Sequence, residues 1–109
     1  MSALYQMRYQ GVADVGHGAI YIGKGKIVGV DITGAKYLGS FVNQSGVLAG
    51  TATLTSAGGT LVTGMPVPAG TQVPIAFNLP ATFDNGQFQS ITVGGKPVQV
   101  AFEKIGDIP

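Results

Sequence analysis

The 109-residue chain is of single-domain length and carries no cysteine, and it is 45% apolar but only 10% charged. Six basic and five acidic side chains leave a net charge of +1, and the basic residues Arg8, Lys24, Lys26, Lys36, Lys96 and Lys104 are scattered. Only Lys24 and Lys26 lie close together, flanking a predicted turn, so a nucleic-acid partner, which usually needs a clustered positive surface, is not suggested; the missing cysteines exclude a disulfide framework and a zinc–thiolate site.

Eighteen glycines and six prolines punctuate the sequence. Helical spacing persists nowhere, whereas alternation with a period of two recurs. Residues 3–9 place Tyr5, Met7 and Tyr9 on one face and Gln6 and Arg8 on the other. Residues 18–23 and 26–31 form two β-branched runs around Gly23-Lys24-Gly25, which reads as a tight hairpin. Residues 36–43 alternate again, and Gln44-Ser45-Gly46 turns the chain into a threonine- and alanine-rich strand at 47–55.

From Gly58 to Gly70 the pattern is irregular and reads as a long loop with one short strand. Alternation resumes at 72–79 through Val73, Ile75, Phe77 and Leu79, but Pro74 marks this strand as an edge or a bulged strand. The turn Asp84-Asn85-Gly86 precedes a strand at 87–93. Gly94-Gly95 then leads into a final strand through Val98, Val100 and Phe102. Strands in succession, joined by short turns, predict an all-β fold: one small antiparallel up-and-down β-barrel of about eight strands spanning 1–109.

The low charge share, against a usual share of about 25%, points to apolar surface buried in a homodimer interface or around a ligand. No run reaches the roughly 18 apolar residues of a membrane helix. The N-terminal residues lack the basic-then-apolar order of a secretory signal. A cytoplasmic protein with no membrane or nucleic-acid partner is therefore expected, and the Asn43-Gln44-Ser45 triplet carries no glycosylation meaning there.

No set of residues predicts catalysis, metal binding or a cofactor. Gly18-Ala19-Ile20-Tyr21-Ile22-Gly23-Lys24 has the spacing of a phosphate loop, but Gly25 follows in place of Ser or Thr and no helix opens after it. His17 is the single histidine, too little for a metal site. Asp31 closes an apolar strand and fits an Asx role, its carboxylate accepting main-chain N–H groups of the next turn. The tyrosines Tyr5, Tyr9, Tyr21 and Tyr37, with Phe41, read as core residues or as the lining of an apolar-ligand pocket.

The segments Gly16-His17-Gly18, Gly25 to Gly29-Val30-Asp31, and Tyr37-Leu38-Gly39 resemble the GrlR-like family, negative regulators of type III secretion gene expression. The likeness extends over most of the chain and is carried by residues 16–40. It implies a lipocalin-like β-barrel, commonly dimeric, that works by protein–protein contact and not by catalysis. On that resemblance Gly16, Gly18, Gly25, Gly29, Asp31, Tyr37 and Gly39 are structural motif residues. The family's acidic loop after the Tyr-x-Gly segment has no counterpart here, where Phe41 to Gly46 contains no carboxylate. A regulatory interaction protein is thus the leading expectation, and a carrier of a small apolar ligand the alternative.

Overall fold

The structure, a computed structural model, describes residues 2–109. Eight strands follow in chain order: β1 (Ser2–Gln10), β2 (Val15–Gly23), β3 (Lys26–Asp31), β4 (Lys36–Gln44), β5 (Val47–Thr55), β6 (Gln72–Pro80), β7 (Gln89–Val93) and β8 (Lys96–Asp107). Each pairs antiparallel with the next, and β8 pairs with β1 to close an up-and-down barrel. Closure gives every strand a partner on both sides, which is how an all-β chain limits edge-to-edge association.

The two-residue turns explain the tight succession. Lys24 and Gly25 have φ of 51° and 74°, and Ser45 and Gly46 have 53° and 83°. Positive φ at both central residues matches the right-handed twist of the flanking strands. The apparent phosphate loop is therefore strand β2 entering a hairpin turn.

Alternation sorts side chains into an apolar interior and an outer wall. Met7, Ile20, Ile22, Ile27, Tyr37, Leu48, Leu54, Val73, Ile75, Val98 and Val100 all point inward and are buried. The small radius of this barrel depends on inward glycines. Gly18, Gly29, Gly39 and Gly50 form a diagonal across β2, β3, β4 and β5, each displaced by two residues from the register partner of the one before. A Cβ at Gly18 would lie 2.5 Å from the Val30 carbonyl oxygen, at Gly39 2.3 Å from that of Thr51, and at Gly50 2.2 Å from that of Ser40. Neighbouring main chains fold over these positions, so the diagonal is where the sheet bends.

Both mouths of the barrel are covered. At one, Phe83 from the β6–β7 connection is fully buried, with its ring centroid 5.1 Å from Tyr5 and 5.5 Å from Phe102. Tilted and edge-on aromatic pairs add about 0.5–1.5 kcal/mol each beyond the area they bury. At the other, residues 56–71 return across the opening, with Val67 buried and Ser56 Oγ donating to the Val67 carbonyl at 3.2 Å. Within this loop the expected short strand is reduced to a single bridge between Thr60 and Pro66.

Pro74 does not place β6 at an edge, since β6 pairs with β5 over its whole length and with β7 on its other side. The Pro74 carbonyl accepts from Gly94 N–H at 2.8 Å, so the imide nitrogen of Pro74 also faces β7. That side is the weak seam of the barrel: β6 and β7 pair only at Ile75–Val93 and Ala76–Thr92. The proline thus occupies the flank where a missing N–H costs least.

Candidate functional site

Among the described residues the inward end of β3 carries the one buried carboxylate. Asp31 is 8% exposed, and its side chain joins four segments. Oδ1 accepts from Thr33 N–H at 2.9 Å, from the Thr33 hydroxyl and from Ala35 N–H at 3.2 Å. Oδ2 accepts the Tyr37 hydroxyl at 2.6 Å and the Tyr9 hydroxyl at 2.9 Å. The expected Asx turn is present, and two tyrosines from β1 and β4 converge on it. A buried ion persists only when its lone pairs are filled in this way.

Burial by itself would raise the Asp31 pKa, but the hydrogen bonds from Thr33, Tyr37 and Tyr9 outweigh it and hold the carboxyl below its usual value. The same contacts push both tyrosines up, first through burial and then through the bond to Asp31. All three groups are therefore fixed in single protonation states near neutrality: carboxylate acceptor, phenol donors.

Gly16 makes this node possible. Tyr9 on β1 reaches over β2 to touch Asp31 on β3, and a Cβ at Gly16 would sit 2.4 Å from the tyrosine ring. The Gly16-His17-Gly18 motif therefore has a steric basis: Gly16 makes room for the ring, and Gly18 makes room for the Asp31 backbone, 2.7 Å from where its Cβ would be.

The aromatic residues expected to share a ligand pocket are not brought together. Tyr9 and Tyr37 meet at Asp31, whereas Tyr5 packs into the Phe83–Phe102 plug at the other mouth. Tyr21 lies on the outer wall, its hydroxyl 2.8 Å from Ser2 Oγ, and Phe41 packs half-buried beside Gly50. Two apolar voids remain inside, of about 50 and 40 Å³. Pockets for drug-sized ligands span roughly 300–1,000 Å³.

His17 and Asp31 face opposite ways. His17 pairs with Arg8 on the outer wall, while Asp31 points inward with its acceptor sites occupied. General base chemistry needs an acceptor within reach of a substrate proton; Asp31 is instead engaged by the Tyr9 and Tyr37 hydroxyls, and the His17 side chain does not converge on it. Among the described residues no group of three or more His, Cys, Asp or Glu side chains could hold a metal ion.

The outer wall holds the feature that sequence reasoning found only in part. β3 contributes Val28 and Val30 to it, and the register assembles more. Tyr21, Val28, Leu38, Thr53 and Pro74 lie side by side in one row across five strands, without a charge among them. Of the eleven large apolar residues exposed among the described residues, Val15, Val28, Val30, Ile32, Leu38, Val42 and Val47 belong to β2–β5 or the residue just after β3. Leu38 is 66% exposed and Val28 49%, at the centre of the patch. Among the described residues no helix is long and apolar enough to cross a membrane. No family model, curated protein or solved structure matches the chain.

Proposed function

We infer that this barrel is a non-enzymatic interaction module that works through protein–protein contact on the outer face of β2–β4. The observation carrying this reading is the contiguous exposed row around Val28 and Leu38, since large apolar patches on a surface mark binding sites. The interior supports it from the other side. Its Asp31, Tyr9 and Tyr37 side chains are engaged in holding the barrel together, and its apolar voids fall far below the size a carried apolar ligand requires. The GrlR-like resemblance of residues 16–40 suggests a regulatory setting, in the cytoplasm, for such a contact.

Covalent footprinting tests the assignment. In intact cells, Val28, Val30 and Leu38 should be labelled more weakly than in the purified chain, while exposed Val12 and Ile105 are labelled equally in both. Equal labelling of the β3–β4 residues in cells and in isolation would defeat the reading. Sedimentation of the purified chain at micromolar concentration, with and without Leu38→Asp, shows whether a homodimer forms and whether it uses the same face.

A further inference from the structure

The outer face of β2–β4 is apolar at its centre and basic at its border. Lys26 stands two residues before Val28 on β3, and Lys36 on β4 lies directly opposite Val30. Lys24 projects from the adjoining hairpin turn, and all three lysines are exposed. Among the described residues the ion pairs are Arg8–Glu103 and Lys104–Asp107, both on the β1–β8 side. No Asp or Glu occupies an outward position on β2, β3, β4 or β5, because Asp31 is turned inward.

This asymmetry discriminates between occupants. A second copy placed by a two-fold axis would lay the same patch against itself, opposing lysines to lysines with no carboxylate on either side. Like charges set against each other across an interface are a strong penalty. Recognition of an anionic membrane surface typically draws on clusters of about four to eight lysines and arginines, more than the three gathered here. A protein segment with an apolar ridge bordered by carboxylates satisfies both the centre and the rim.

We propose that the β2–β4 face docks an acidic amphipathic segment of a partner protein, with its apolar ridge on Val28, Val30 and Leu38 and its carboxylates toward Lys24, Lys26 and Lys36. The proposal rests on the interaction reading above and adds the chemistry of the partner. Burial of the valines and leucine supplies the affinity. The exposed lysines orient the segment and make the association salt-dependent.

Two capped amphipathic peptides serve as probes, sharing one leucine stripe and differing only in glutamate or lysine beside it. Titrated into isotope-labelled protein at low salt, the glutamate peptide should shift amides of β3 and β4. The lysine peptide should bind roughly tenfold more weakly or worse, as charge complementarity requires. A triple variant K24E/K26E/K36E should reverse that preference, and Leu38→Asp should abolish binding of both. Circular dichroism confirms that each variant keeps its strands.

Equal binding of the two peptides, or a preference that survives charge reversal, overturns the proposal. A dimer dissolved by Leu38→Asp would put a second copy on this face, overturning the acidic partner while leaving the interaction reading in place. Binding to phosphatidylserine vesicles that charge reversal abolishes would put a lipid surface there and overturn the protein partner. A face indifferent to every probe, and labelled equally in cells and in isolation, would remove both readings.

Discussion

Asp31 is a structural charge, and its protonation is linked to stability. Its folded pKa lies below the ordinary carboxylate value, so the unfolded chain binds the proton more readily. The resulting stabilisation is complete above the unfolded value of about 3.9 and is lost as pH falls through the folded pKa. Asp31→Asn removes the ion while nearly preserving shape. It should cost about 2–3 kcal/mol at neutral pH, the worth of hydrogen bonds to a charged group. In denaturant titrations the variant should also lose less stability than the parent chain between pH 4 and lower values. A variant as stable as the parent, with the same acid dependence, would show that the node is dispensable. The Asx contact was legible because it is local, spanning Asp31 to Thr33. The Tyr9 contact bridges 22 residues and two strand boundaries, and only the register brings those groups together.

Among strands, the distinction between glycines that turn the chain and glycines that bend the sheet has measurable consequences. Gly39→Ala would force a Cβ to within 2.3 Å of the Thr51 carbonyl oxygen, a main-chain atom that cannot swing away. It should destabilise by about 1–3 kcal/mol, as overpacking does. Gly106→Ala meets nothing within 4 Å and should change stability by no more than about 0.5 kcal/mol. Comparable losses at both positions in urea unfolding would contradict the bending role of the diagonal. The seam between β6 and β7 leads to a separate expectation. Past Ala76–Thr92 the same register would set Phe77 against Ile91 and Asn78 against Ser90, but β6 and β7 are not paired there, so the amides of Asn78 and Ser90 should exchange with solvent well ahead of those of Tyr5 or Val100. Equal protection would show that the seam is closed in solution. Hairpins and alternation were readable because turn chemistry and period-two burial are local. Pro74 signalled an edge without revealing that the partner strand is short, since the length of β7 is set by its pairing with β8.

For the molecule as a whole, strand count, direction and closure followed from the pattern of turns, whereas the character of the outer wall did not. Val28 and Leu38 are neighbours because β3 and β4 pair in one register; a shift of β4 by a single residue would turn Leu38 inward and leave Val28 without it. The interaction surface is therefore a product of register. The closing pair has a consequence in time as well as in space. Ala3 aligns with Asp107, and Ile108 N–H donates to the Ser2 carbonyl at 2.8 Å. The first strand made is thus completed only by the last. At ribosomal rates of about 5–20 residues per second, the far side of β1 waits some seconds for β8 while the growing sheet stays open. Gln6, Arg8 and Gln10, projecting from β1 toward solvent, make this unfinished sheet a poor template for other nascent chains during that interval.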